Sequence, residues 1–561
     1  MKLNKYYSAI LSLSIYGLSA CHSYEGANST GVCADLLSKT ISELDMMVIS
    51  AKLLAVSDDH PEQCLVDGEI NRRTGIDGQE YVIRFRLRLP TKIWNGNLYA
   101  AGGGGINGRL VDPKALVSEG YATLGTDSGH DNEKNSRAKS GGIAAFGVDP
   151  QARIDFGYNA YDVVTRSAKA VIQMFYGKNP EYSYYVGCSE GGREGLVLSQ
   201  RFPEHYDGIV AGAPVLHLPL GPMSGVYTTQ IFADLAQQMN ITLPNGDPDI
   251  ARTFSDPDLM IVRESVLNAC DALDGLKDGI VNDMARCQTA RVLPELTSMI
   301  CEDEKADSCL LSIQVKAIQK AMRGPVNSSG RQLYADWPWD GGISGFDGKK
   351  YNMGWRSGWL GRSGDGARSA MKLSYAPVLA VLYSTPPQTP IGRADALEYS
   401  LSYNFDTDPS LIWAVDEIYN QSPADLFFSD QTNLTPFKAA GGKLIIYHGA
   451  SDSSVSMNDT RNWFKQAMQD TDGGIDSFSR LYLVPGMGHC RGGPSTDTFD
   501  LFAQVTNWVE RGIAPESVVA TASKPEYFNV SERSRPICPF PKQAIYNGTG
   551  NVNIADSFSC K

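Results

Sequence analysis

The sequence predicts an α/β fold, a mainly parallel sheet whose chain is interrupted by a long inserted segment. Three observations predict it. Strand and helix patterns alternate from the N-terminal region to about Pro214. Between about Val215 and Phe427 they give way to helical segments, tryptophans and Gly/Asp/Ser-rich loops. From residue 428 the alternation returns and runs to the end of the chain.

The elements follow in order. "QEYVIRFRLRLP" alternates polar and apolar residues as a strand does, "GNLYAAGGGGING" is a strand entering a glycine loop, and "YATLGTD" is a further short strand. "AYDVVTRSAKAVIQMFYG" has apolar residues at helical spacing and stops at a glycine. "YSYYVG" reads as a strand, "EGLVLSQRF" as a helix and "YDGIVAGAP" as a strand. After the inserted segment, "FKAAGGKLIIYHGASD", "SRLYLVPGMGHC" and "LFAQVTNWVERG" restore the alternation. Residues 21–214 and 428–561 are therefore expected to form one core, and 215–427 an inserted lid.

Composition narrows the function. Of 561 residues, 42% are hydrophobic and 20% charged, enough to bury a full core. The formal net charge of -13 excludes nucleic acid as the main partner, since phosphate binding needs basic patches. Residues 1–20 read as an export signal: Lys2 and Lys5 precede a short apolar run, Ala9 to Leu18. The run ends in Leu18-Ser19-Ala20-Cys21, which resembles a bacterial lipobox with Cys21 as the lipidated residue. The alternative is an ordinary signal peptide cut near Ala20. A cell-envelope lipoprotein is expected, or otherwise a secreted protein, with the lipid at Cys21 as its only membrane contact.

Cysteine parity favours lipidation. Eleven cysteines leave one over in an oxidising compartment, and removing Cys21 leaves ten. Spacing suggests Cys33–Cys64, Cys270–Cys287, Cys301–Cys309 and Cys538–Cys560. Elimination then leaves Cys188 with Cys490.

Gly187-Cys188-Ser189-Glu190-Gly191 fits the G-x-S-x-G nucleophile elbow, with a strand before it and a helix after it. A serine nucleophile needs a base, and the base needs a carboxylate to orient it. Asp452 and His489 each follow a strand, and the chain order Ser189, Asp452, His489 is that of an α/β-hydrolase. The fold expected is thus an α/β-hydrolase core with a large inserted lid domain. Taken singly, Asp452 could equally be a turn residue and His489 a loop histidine. His130, beside Asp127 and Asp131, is a rival base that precedes the serine, and is read as loop packing. His448 is read as ending a core strand, and His22, His60, His205 and His217 as lacking a constellation. A Cys188–Cys490 bridge would staple the serine loop to the histidine loop.

Cys-Ser at one end, His-Cys at the other and Asp between resembles the tannase and feruloyl esterase family. "GGGGING", "GCSEGG", "HGASD" and "VPGMGHC" carry the likeness over most of the mature chain. "GISGFDGKKYNMGWRSGWLG" and "ERSRPICPFPKQAIYNGTG" are most similar to the branch that hydrolyses terephthalate monoesters. The resemblance implies hydrolysis of small aromatic acid esters of the feruloyl or galloyl kind, with terephthalate monoesters as the alternative. It implies Ser189 as nucleophile, His489 as base, Asp452 as its orienter, and the Glu190 N–H as one oxyanion donor, with Gly103 or Gly104 supplying the second. It also implies a structural calcium in "CDALDGLKDGIVNDMARC", held by Asp271, Asp274 and Asp278 with the carbonyls of Leu276 and Ile280. All of these are hard oxygen ligands; the alternative is a solvated acidic loop. Trp359 matches a lid tryptophan that could stack on the substrate ring or belong to the lid core. Val455 stands where that branch has an aromatic residue, and Arg368 and Lys372 are the candidates for a carboxylate-binding cation. A non-catalytic surface binding protein on the same scaffold, and a peptidase or acyltransferase, are the rival readings.

Overall fold

The computed structural model describes residues 29–345, 354–361 and 372–561; the N-terminal segment with Cys21, and Arg368, lie outside them. Strands β1 (Thr40–Ile41), β2 (Met46–Leu54), β3 (Gln63–Thr74), β4 (Glu80–Pro90), β5 (Leu98–Ala101), β6 (Ala122–Thr126), β7 (Ser183–Cys188), β8 (Gly208–Gly212), β9 (Lys443–Gly449) and β10 (Ser479–Val484) form one sheet. The ten strands lie in the order β1-β2-β3-β4-β6-β5-β7-β8-β9-β10.

The sheet is mixed rather than mainly parallel. Every neighbouring pair from β1 through β4 to β6 is antiparallel, and every pair from β6 through β5 to β10 is parallel. Residues 75–79 are too few for the crossover that a parallel β3–β4 pair would need, so these strands can only form a hairpin. The half-exposed alternation of β4 and the complete burial of β8 follow from that difference in position.

Strand periodicity builds two cores, one on each face. Ile209, Ala211, Leu444 and Ile446 face the helices Ala160–Tyr176, Glu190–Arg201 and Met457–Asp470. The residues between them, Val210 and Ile445, face Leu501, Val505 and Trp508 of the helix Leu501–Arg511. Glycines in left-handed conformation end two of these helices, Gly177 (φ 76°) and Gly512 (φ 71°).

No named strand lies between β8 and β9 among the described residues, and helices such as Leu220–Gln238, Asp256–Cys270 and Ser312–Arg323 take their place. The apolar core of this segment includes Phe232, Val262, Ile318, Trp337 and Trp359. It runs on into the body through Ile106, Phe146, Phe156 and Val455. The segment enters and leaves through a paired stem, in which the Ser429 N–H donates to the Leu216 carbonyl at 2.8 Å. His217, which the sequence reading left without a constellation, pins this stem. Its Nδ1 lies 2.9 Å from Asp459 Oδ2 and its Nε2 3.4 Å from Asp430 Oδ2. Burial disfavours its charge, but the two aspartates outweigh burial and push it up to about 10.

Five disulfides join the pairs that spacing and elimination suggest: Cys33–Cys64, Cys188–Cys490, Cys270–Cys287, Cys301–Cys309 and Cys538–Cys560.

Candidate active site

Ser189 sits between β7 and the helix Glu190–Arg201 with φ 65° and ψ -120°. A non-glycine residue there is strained, at a cost of order ~1–3 kcal/mol, and such strain persists only where the surroundings enforce it. Close packing enforces it here. A Cβ on Gly187 would meet the Gly191 carbonyl oxygen at 2.4 Å, and one on Gly192 would meet the Gly212 carbonyl oxygen at 2.3 Å. The Ser189 N–H donates to the Gly212 carbonyl at 2.9 Å, tying the turn to β8.

Asp452 is fully buried just beyond β9. Its Oδ1 accepts from the N–H groups of Ser454 (2.8 Å) and Val455 (3.1 Å), and its Oδ2 lies 2.6 Å from His489 Nδ1. His448 does more than end its strand, because its Nε2 lies 3.3 Å from the same Oδ2. Burial opposes the charge on Asp452, yet His489 and His448 hold it well below the usual carboxylate range. Burial likewise opposes a charge on His489, and Asp452 outweighs it, so the imidazole is raised. The rival His130 is buried and stacked on Phe146 at 3.7 Å, and burial pushes it down to about 3. Its neighbours Asp127 and Asp131 are both paired with Arg84.

The inserted segment helps hold these loops, which the sequence reading missed. Buried Asp340 accepts from the Ser451 hydroxyl, next to Asp452, and from the Gly486 N–H at 3.1 Å, three residues before His489. The Cys188–Cys490 bridge, with Cα atoms 6.1 Å apart, joins the residues flanking Ser189 and His489.

The structure separates the two candidate glycines. The Gly103 N–H donates to the Glu194 carboxylate at 3.2 Å, whereas the Gly104 N–H makes no hydrogen bond among the described residues. Glu190 opens the helix, with its carboxylate in a buried ion pair with Arg193 at 2.6 Å. That leaves its backbone N–H, not its acid, as the group that could face an oxyanion.

Ser189 and His489 face one cavity of about 580 Å³, counting the space open at its mouth. Ile106, Val215, Leu218 and Val455 give it apolar walls, and Tyr375, Tyr383 and Lys372 give it polar points. Lys372 Nζ lies 3.5 Å from Ser224 Oγ and 4.3 Å from the centre of the Trp337 ring, and burial pushes its ammonium down to about 7. The buried Tyr383 hydroxyl has no hydrogen-bond partner among the described residues. Trp359, in contrast, does not line the cavity. It is 2% exposed, stacked on Trp355 at 5.2 Å, and its Nε1–H donates to the Ser453 carbonyl at 2.9 Å. It belongs to the core of the inserted segment and braces the Asp452 loop.

The acidic loop is more self-contained than a five-ligand set implies. Asp271 accepts from the N–H groups of Asp278 (3.1 Å) and Gly279 (3.0 Å), and Asp274 from the Leu276 N–H (3.0 Å) and Asn282 (2.7 Å). Asp278 is paired with Arg535 and lies 3.6 Å from Arg533, so its charge is already met. No group of three or more His, Cys, Asp or Glu side chains is gathered as a metal cluster among the described residues. Asp271 and Asp274 form no ion pair among the described residues, and burial, with repulsion from Asp278, raises both. Two buried carboxylates without a cation, in an all-oxygen donor set, fit a hard cation.

Comparison with known proteins gives this geometry a family. The family model described as "Tannase and feruloyl esterase" matches residues 64–561. Mono(2-hydroxyethyl) terephthalate hydrolase from Piscinibacter sakaiensis is 43% identical over 559 residues, covering 97% of this chain and 91% of that protein. Among solved structures, feruloyl esterase B from Aspergillus oryzae superposes with a TM-score of 0.70 at 22% identity, over 94% of this chain and 100% of that one. Tannin acyl hydrolase from Aspergillus niger superposes with a TM-score of 0.67 at 20% identity, over 95% and 94%. These two likenesses establish the α/β-hydrolase fold. The chain belongs to the tannase and feruloyl esterase family, whose members are carboxylic ester hydrolases.

Proposed function

We propose that the chain is an exported serine esterase, lipid-anchored through Cys21 or otherwise secreted, that cleaves esters of small aromatic acids. The observation that carries this reading is the 2.6 Å contact between His489 Nδ1 and buried Asp452, with His489 and Ser189 on one cavity. Ser189 Oγ attacks the ester carbonyl carbon while His489 Nε2 takes its proton. Asp452 holds the Nδ1–H tautomer and stabilises the imidazolium. The oxyanion is met by the Glu190 N–H and by an unbonded N–H of the glycine loop, that of Gly104 or of Gly105, which lines the cavity. The alcohol leaves with the proton from His489, and water then releases the acid by the same steps.

The acyl group is read from the cavity. Apolar walls suit a ring, and the Lys372 ammonium and the Tyr383 hydroxyl suit a polar substituent on it. Lys372 also favours a second reading, terephthalate monoesters, because it offers a cation to a free carboxylate; the Piscinibacter sakaiensis relative supports this reading. The test is wild type and Lys372→Met against methyl ferulate, methyl gallate, mono(2-hydroxyethyl) terephthalate and p-nitrophenyl acetate. On the second reading, Lys372→Met raises KM for the terephthalate monoester by about 10-fold or more and leaves methyl ferulate nearly unchanged. Hydrolysis of p-nitrophenyl acetate alone would remove the aromatic-acid assignment.

We also propose that Asp271 and Asp274, with the carbonyls of Leu276 and Ile280 and with Asp278 shared with Arg535, hold a structural calcium. At a calcium concentration 100 times Kd, binding would stabilise the fold by about 2.7 kcal/mol. Chelation should therefore lower Tm in the wild type and leave Tm unchanged in Asp274→Asn. An unchanged wild-type Tm would count against the site.

A further inference from the structure

Glu194 is a buried acid that the mechanism above does not use. It is 1% exposed and lies on the helix that begins at Glu190, five residues after Ser189. Its carboxylate accepts from the Gly103 N–H at 3.2 and 3.3 Å to its two oxygens, and from the Tyr185 hydroxyl. The Gly103 carbonyl in turn accepts from the Gly191 N–H at 3.1 Å. Both polar atoms of Gly103 are thus bonded to the helix that carries the serine elbow, and the next two N–H groups, those of Gly104 and Gly105, make no hydrogen bond among the described residues, with Gly105 lining the cavity that Ser189 faces. The contact is close. A Cβ on Gly102 would lie 2.3 Å from the Tyr185 hydroxyl oxygen, 2.6 Å from Gly191 Cα and 3.2 Å from Glu194 Oε2.

We propose that Glu194 is a positioning residue for the oxyanion loop: by accepting the Gly103 N–H it sets the orientation of the glycine loop against the Ser189 elbow, so that the unbonded N–H groups that follow, of Gly104 and Gly105, are left to supply the second oxyanion donor. The inference rests on the reading of Ser189 as nucleophile. Donors aimed at the developing oxyanion act only if they are held in place before the reaction, and a loop of four glycines, Gly102 to Gly105, has no side chains to hold it. The bonds to Glu194 and Gly191 supply that restraint. Glu194 forms no ion pair among the described residues, because Arg193 is spent on Glu190 and on the carbonyls of Phe156 and Gly157. Burial, reinforced by the nearby Glu190 charge, pushes its acid up to about 7. A neutral amide is therefore a close stand-in for it.

The test compares Glu194→Gln, Glu194→Asp and Glu194→Leu with wild type and Ser189→Ala in the full chain, using p-nitrophenyl acetate. In Glu194→Gln the amide oxygen can still accept the Gly103 N–H, so kcat should stay within about 3-fold of wild type. Glu194→Leu removes the acceptor and should lower kcat by about 100-fold, the scale of one lost oxyanion donor, with KM within about 2-fold. If Glu194→Leu does not fold, Glu194→Asp, which keeps the carboxyl group but withdraws it by one methylene, should show the same loss in kcat with KM unchanged. Wild-type kcat in both Glu194→Asp and Glu194→Leu would overturn the proposal. So would an equal loss of kcat in Glu194→Gln, which would mean that acceptor geometry is not what matters. Turnover retained by Ser189→Ala would instead overturn the nucleophile reading itself.

Discussion

Replacing Ser189 with alanine is expected to lower kcat/KM by about 10,000-fold or more on every ester the wild type hydrolyses, leaving the fold intact. The size follows from the proposed division of labour. The serine oxygen forms the acyl bond, and neither His489 nor the oxyanion donors can replace it. What remains is binding and the oxyanion hole acting on water, which in comparable triads leaves a small residual rate. Alanine is a fair replacement because the Ser189 hydroxyl caps no helix N–H, so its loss leaves no backbone donor unpaired. Steady-state kinetics on p-nitrophenyl acetate and on the best aromatic ester, with circular dichroism as the fold control, give the answer. Retained turnover would refute the mechanism and point to another nucleophile, whereas a wild type inert toward every ester would return the non-catalytic reading.

The second large effect is expected from Cys188→Ala/Cys490→Ala. This bridge spans 302 residues of sequence, and the chain-entropy argument puts its contribution at up to about 5 kcal/mol. Its place matters more than its length. It holds the residue before Ser189 to the residue after His489, and the nucleophile–base distance must stay within hydrogen-bond reach. The double variant should lose about 10-fold or more in kcat, in line with the sensitivity of such sites to small misplacements, and should melt at a lower temperature. Cys301→Ala/Cys309→Ala is the control, since that bridge spans only 8 residues within the inserted segment and does not touch the cavity. It should leave kcat unchanged. Equal losses in both variants would mean that the Cys188–Cys490 bridge acts through global stability alone.

The sequence by itself determined the features that live in short stretches or in chain order. The elbow was legible because G-x-S-x-G needs glycines where strand and helix nearly touch, and Gly187 and Gly192 do stand at such contacts. Asp452 and His489 were legible because each follows a strand in the order the fold requires. The disulfide pairs were legible because four are close in sequence and the fifth remains. Only the tertiary structure decided matters of burial and partnership. It separated Gly103 from Gly104 through a carboxylate 91 residues away, and it placed Trp359 in the core of the inserted segment rather than on the cavity of Ser189 and His489. It brought Lys372 and Tyr383 to the cavity and Asp340 to the loops of Asp452 and His489. It also turned the first strands antiparallel through a hairpin. The physical reason is common to all of these. Whether a polar group is satisfied or free, and whether a ring is exposed or packed, depends on neighbours that only folding brings together, and no local pattern in the chain encodes them.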